Sequence, residues 1–145
     1  MAKLTGPYIT VQIDKAGAGP NDVSADIESI TVPDEWLEAD MTGFGEGVEN
    51  SAPVLPTMPI EIVGKMNPAT NRLYDVAKAN RGLYTSQTVI IDIGQNAAPV
   101  GGDPRISGEF WQQKLSIGAT PKSAIGLTLT YKPMGGTAPT IGVKP

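Results

Sequence analysis

Apolar and polar residues alternate along several short stretches of the chain, a period of two that predicts half-buried strands. Ile9, Val11 and Ile13 fall on one face between Tyr8 and Asp14, and Ile30 and Val32 keep register over residues 26–32. Between these stretches, Gly17, Gly19, Pro20 and Asn21 supply the flexible and φ-locked positions of a turn. Met58, Ile60 and Ile62 alternate over residues 57–64, with Pro59 near the entry. Proline cannot donate to a ladder, so it marks a strand start or a sheet edge there. Val89, Ile91 and Ile93 stay in phase over 84–93, and Ile125, Leu127, Leu129 and Tyr131 do so over 125–131. In 105–117 the phase slips: Ile106, Gly108 and Phe110 share a face, whereas Leu115 and Ile117 have the opposite parity. A bulge is therefore expected between Trp111 and Lys114.

One stretch carries the helical period instead. Asn67 suits a cap, Pro68 the first helical position, Leu73, Val76 and Ala77 form an i, i+3, i+4 stripe, and Gly82 supplies a stop. The spacing predicts a helix over 68–81, about 20 Å long at the usual rise per residue. Arg72, Lys78 and Arg81 make its outer side basic.

Residues 34–56 follow neither period and read as a long loop, with Trp36, Leu37, Met41 and Phe44 set among Gly43, Gly45 and Gly47. Such loops are uncommon inside a compact domain and are usually functional or disordered. Burying apolar surface gains about 25 cal/mol per Å², which argues against leaving these side chains in water. They call for a surface, either the domain's own flank or a neighbouring subunit. Residues 133–145, with Gly135, Gly136 and three prolines, read as an extended C-terminal arm, and residues 1–7 as an N-terminal one. The order predicts a single, mainly β domain: an antiparallel β-sandwich or barrel with one flanking helix and extended loop and terminal arms.

Composition narrows the chemistry. A chain of 145 residues buries one core. Without Cys or His, thiol nucleophiles, Cys/His zinc sites, disulfides and imidazole proton shuttles are all removed. The missing cysteines suit folding in a reducing cytoplasm. Residues 1–7 hold one Lys and no apolar run, so neither a signal peptide nor a membrane span is expected and the chain reads as soluble and intracellular when made. A net charge of -4 argues against binding nucleic acid through phosphate contacts.

The distribution of charge says more. Residues 16–64 hold ten Asp or Glu and no Lys or Arg, while the remainder holds all eleven basic residues against five acids. A particle with one acidic and one basic end can stack head to tail, the heterologous contact that builds rings or filaments. The plainer alternative is a solvated acidic loop with no partner.

No reactive centre stands out. Gly43, Gly45 and Gly47 superficially resemble a phosphate loop, but no strand feeds them, no helix opens after them and the local acids repel phosphate. Lys65 after Gly64 lacks the Ser or Thr of a nucleotide-binding loop. Asp34, Glu35, Glu38, Asp40, Glu46 and Glu49 could supply a carboxylate pair or oxygen ligands, yet they lack the alternating pattern of a calcium loop and the aromatic platform of a sugar cleft. Trp111 reads as the core and rim of a strand. No catalytic, cofactor or metal residue is nominated, and an enzyme is not expected.

Four stretches, in this order and spacing, resemble the tail tube, or major tail, proteins of long-tailed bacteriophages. They are residues 22–32, the Asp-x-Thr-x-Phe-Gly pattern formed by Asp40, Thr42, Phe44 and Gly45, residues 60–68 with the helix after them, and residues 102–109 continuing through Ile117 to Tyr131. Together they cover about residues 22–132. Residues 45–57 depart from the pattern, being less charged than the family would suggest.

The resemblance implies a structural virion protein without enzymatic activity, made in the host cytoplasm and built into the phage tail. Its copies would form hexameric rings stacked into a tube that conducts DNA without binding it specifically. The implied partners are further copies of the chain and other tail proteins: tape measure, terminator and tail tip. No membrane and no cofactor are implied. The candidate subunit-interface residues are Trp36, Leu37, Glu38, Asp40, Met41, Phe44 and Glu46 in the long loop, with Arg72, Lys78 and Arg81 on the helix. A capsid decoration protein, or another tail or neck component, is the alternative reading.

Overall fold

The computed structural model describes residues 8–43, 45, 47–94 and 97–145. Strands β1 (Ile9–Lys15), β2 (Gly19–Asp22), β3 (Ile27–Thr31), β4 (Trp36–Asp40), β5 (Ser51–Pro56) and β6 (Ile60–Lys65) precede helix α1 (Leu73–Asn80). Strands β7 (Gln87–Ile93), β8 (Pro104–Gly118), β9 (Gly126–Pro133) and β10 (Thr140–Val143) follow it. One eight-stranded sheet runs in the order β2-β1-β7-β8-β9-β6-β3, with β10 added to β8, and β4 and β5 form a separate pair. All strand pairings are antiparallel.

Register explains the core. Val11 sits opposite Ile91 and Ile13 opposite Val89 on one wing of the sheet, while Ile60 faces Tyr131 and Ile62 faces Leu129 on the other. Residues directly opposite in a ladder share a face, so each wing presents an apolar inner surface. Strand β8 joins the wings: Arg105 to Phe110 pair with β7, and Phe110 to Gly118 pair with β9. The register slips between Gln112 and Lys114, the bulge that the change of parity predicts. The bend it introduces lets both wings bury their inner faces in one cluster with Phe110, Leu127 and Leu129.

The two ends of the sheet meet through a short 3-10 turn, Ser24–Asp26, that leads from β2 into β3. There the Val23 N–H donates to the Val11 carbonyl at 3.0 Å, and the Val11 N–H donates to Ser24 Oγ at 2.8 Å. The result is a sandwich rolled most of the way to a barrel. A cleft lined by Ile9, Val11, Ile27 and Ile30 marks its seam.

Helix α1 covers the core but is shorter than the spacing predicts, eight residues from Leu73, or about 12 Å. Asn67 makes a local turn, accepting from the Ala69 N–H at 3.1 Å. Asn71, at φ 62, then interrupts any helical run. The cap comes from across the molecule. The buried Asp26 carboxylate accepts the Leu73 N–H at 3.2 Å and both faces of the Arg72 guanidinium fork at 2.9 and 2.6 Å. The Arg72 fork holds the Asp26 carboxyl below its ordinary range. Leu73, Val76 and Ala77 are fully buried, as their stripe requires, and Gly82 ends the helix at φ +73. Gly64 lies beneath the helix start, where a Cβ would come within 2.7 Å of Leu73 Cδ2 and strike the Asp26 carbonyl.

The far end of the helix is fastened by buried amides. Asn80 accepts from the Ala16 N–H and donates to the Asp14 carbonyl, both at 2.8 Å. Gln112, beside the bulge, donates to the Ala77 carbonyl and accepts from the Tyr131 hydroxyl, both at 3.0 Å. Burial pushes the Tyr131 phenol up to about 12.

Two expectations are corrected. Residues 34–56 are not an irregular loop but carry the β4–β5 ribbon, and the extended arm of residues 133–145 does not stand apart from the sheet. The C-terminal strand β10 returns to β8, with Ile141 opposite Ile106, and the Lys144 N–H donates to the Asp103 carbonyl at 2.7 Å. Neither segment shows a period of two because neither face of its exposed strands is buried. The expected N-terminal arm, residues 1–7, lies outside the described residues.

Candidate functional site

The β4–β5 arm is the part of the described structure whose side chains are least accounted for by the core. Trp36 pairs with Pro56, Leu37 with Leu55, Glu38 with Pro53, Ala39 with Ala52 and Asp40 with Ser51. A register shift after Leu37 places Val54 in a bulge. Leu37, Leu55, Ala39 and Ala52 therefore form one face, and Trp36, Glu38 and Asp40 the other. Trp36, Leu37, Met41, Val54 and Leu55 are all exposed, by 47% to 59%. Met41 lies just past β4, where its N–H donates to the Asn50 carbonyl at 2.7 Å.

Among the described residues, the arm's hydrogen bonds are its own. The Thr57 N–H closes its base on the Glu35 carbonyl at 2.8 Å. Near the tip, Thr42 Oγ1 accepts from the Asn50 N–H at 2.8 Å. Asp40 accepts from the Thr42 N–H at 2.9 Å, and this bond lowers the Asp40 carboxyl below its ordinary range. Gly45, at φ +87, lies between β4 and β5, and no described residue between these strands is helical. Phe44 and Glu46, both interface candidates, lie outside the described residues.

Four body acids are in ion pairs: Asp26 with Arg72 at 2.6 Å, Asp75 with Lys15 at 2.6 Å, Asp92 with Arg105 at 2.6 Å and, at the surface, Glu28 with Lys65 at 3.1 Å. Among the described residues no ion pair neutralises Asp34, Glu35, Glu38, Asp40 or Glu49 on the arm. Nor do the described residues gather three or more Asp or Glu into a cluster that could hold a metal ion.

The three basic candidates on the helix fare differently. Arg72 is committed to Asp26 inside the subunit. Lys78 is exposed, 3.7 Å from Asp75 and 5.7 Å from the centre of the Tyr74 ring. Arg81 is exposed just past the helix end and joins no ion pair among the described residues. Among the described residues none of the three is in an ion pair with the arm.

Sequence reading missed several residues that hold the geometry together. Asp26 caps the helix from 47 positions away, and Asn80 and Gln112 pin it to the sheet. No local pattern marks a polar residue whose partner is distant in the chain. Val54, Leu55, Tyr84, Ile141 and Val143 are also exposed. Tyr84 meets Trp111 edge-on, with ring centres 6.0 Å apart and planes at 70°.

No protein-family model matches the chain, and no curated protein matches it by sequence. Its fold is shared with subunits of several solved assemblies. One is the tail of an empty gene transfer agent particle, solved with C6 symmetry, at TM-score 0.61 and 15% identity over 96% of this chain and 98% of that one. A second is the SPP1 tail tube, at TM-score 0.67 and 8% identity over 98% and 80%. A third is in the six-fold symmetrised baseplate of the anti-feeding prophage, at TM-score 0.58 and 12% identity over 92% and 91%.

Proposed function

We propose that this chain is a non-enzymatic structural subunit of a phage-type tail, and that its copies assemble into stacked, hexameric rings to form a tube for DNA ejection. The observation that carries the reading is a fold shared, over nearly the whole chain, with subunits of a C6-symmetric tail and of a tail tube. The chain's surfaces agree with it. A two-stranded ribbon is marginal by itself, and exposed Trp36, Leu37 and Leu55 gain stability only when something covers them. The unneutralised arm carboxylates and the exposed Lys78 and Arg81 give opposite charges to two parts of one subunit, which favours contacts between copies.

In this reading the interface draws on Trp36, Leu37, Glu38, Asp40, Met41, Phe44 and Glu46 from one copy, and on Lys78 and Arg81 from another. Arg72 acts from within, holding the helix that displays them. DNA passes through without specific binding, since a net charge of -4 gives phosphates little to hold. The tape measure, terminator and tail-tip proteins would meet the tube along its lumen and at its ends, in the virion tail.

Negative-stain microscopy of the concentrated protein tests the proposal. Tubes or stacked rings are expected. Monomers or trimers that instead coat phage capsids would replace it with the decoration reading.

A further inference from the structure

The arm and the body face each other across a cleft of about 690 Å³. Glu35, Trp36 and Leu37 stand on the arm's side, and Trp111, Lys132 and Pro133 on the body's. Both walls are largely apolar, and each carries one charge of opposite sign. On the arm side, Trp36 is 47% and Leu37 53% exposed, so the apolar surface there is only partly used. On the body side, Trp111 is already propped against Tyr84. Glu35 and Lys132 line the same cleft, yet no ion pair joins them among the described residues.

The arm's connection to the body is narrow. Val32 to Glu35 lead into β4 and Thr57 to Pro59 lead out of β5, and none of these residues belongs to a strand. No ladder ties β4 or β5 to the main sheet. Two short connectors carrying Pro33 and Pro59, bonded to each other between Thr57 and Glu35, are the ribbon's junction with the body, the kind of junction at which a unit can swing.

We infer that in the free subunit the arm closes over its own cleft, setting Trp36 against Trp111 and Pro133 with Glu35 beside Lys132. A second copy reopens it by offering a larger apolar surface. Closure is a property of one chain; its purpose, keeping the arm from premature polymerisation, rests on the self-assembly reading above.

The chain has two tryptophans, so Trp111→Phe keeps an aromatic wall and leaves Trp36 as the only reporter. At dilutions where no assembly occurs, acrylamide quenching of Trp36 is measured in this parent, after adding Lys132→Glu, and after adding Glu35→Lys to that. Lys132→Glu sets like charges across the cleft and is expected to raise quenching about twofold as the indole returns to water. The charge swap with Glu35→Lys is expected to restore protection, and high salt is expected to raise quenching in the parent by screening the pair. Far-UV circular dichroism checks that all three are folded.

Equal quenching in all three proteins, unmoved by salt, overturns closure, whether or not tubes form. The expected quenching pattern in a protein that never polymerises leaves closure standing and removes the self-assembly reading instead.

Discussion

In the body, β9 places Leu127, Leu129 and Tyr131 in the core and leaves Thr128 and Thr130 half-buried between them. In the arm, β4 exposes Trp36, Leu37, Glu38 and Asp40 and half-buries only Ala39. Both are strands with antiparallel partners, but the body's strands are fixed by burial whereas the arm's are fixed by their ladder and by hydrogen bonds at base and tip. Charge differs in degree: four body acids, Asp26, Glu28, Asp75 and Asp92, are in ion pairs, and none of the described arm acids is. One region buries its apolar side chains within the single chain; the other leaves Trp36, Leu37 and Leu55 exposed.

Substitutions in the two regions should therefore separate folding from assembly. The largest effect on folding is expected from Leu129→Ala, at the centre of the core, which should cost about 3 kcal/mol through lost burial and a cavity. Thermal denaturation would show it, and a loss much below about 1 kcal/mol would mean that the core is packed elsewhere.

Asp26→Asn comes next, at about 2 kcal/mol, because the helix cap and the Arg72 fork lose a charged acceptor. The pH dependence fixes the sign. The Asp26 carboxyl titrates below its ordinary 3.8 in the folded chain, so its contribution is fully present above that value and disappears as pH falls through the lowered one. Wild-type and variant stabilities, measured by denaturant unfolding, are thus expected to differ at neutral pH and converge in acid. A difference that persists or grows in acid would show that the ion pair is not its source.

This division also explains what the sequence let one read. The strands β1, β6, β7 and β9, and even the bulge in β8, were legible because one face of each is buried, and burial writes a period of two into the residues. The stripe of Leu73, Val76 and Ala77 was legible for the same reason. The helix start was not, since Asn67 and Pro68 imitate a cap locally while the effective cap is Asp26, brought near by the fold. The arm looked irregular because both its faces meet water and Pro53 and Pro56 interrupt any strand signal; β10, exposed at every position, was hidden likewise. Of the candidate site, the apolar residues of 34–56 were singled out by composition, but their arrangement into two faces depends on a register that alternation does not reveal.

Smaller effects on stability are expected in the arm. Leu37→Ser should change the subunit's unfolding free energy by less than about 0.5 kcal/mol, yet prevent polymer formation as followed by light scattering. A marked drop in stability would make Leu37 part of the fold rather than of a contact. Smallest for the isolated subunit is Glu38→Lys combined with Asp40→Lys. Melting should be unchanged, but polymers in micrographs should be shorter, with the difference from wild type narrowing at high salt as charges are screened.

Amide hydrogen exchange of the arm, followed before and after polymerisation, tests most directly whether copies of this chain complete one another there. Amides of β4 and β5 are expected to exchange quickly in the free subunit and to become protected in the polymer, while β1, β7 and β9 stay protected throughout. A polymer in which the arm still exchanges quickly, or a chain that forms no polymer at all, would contradict this account.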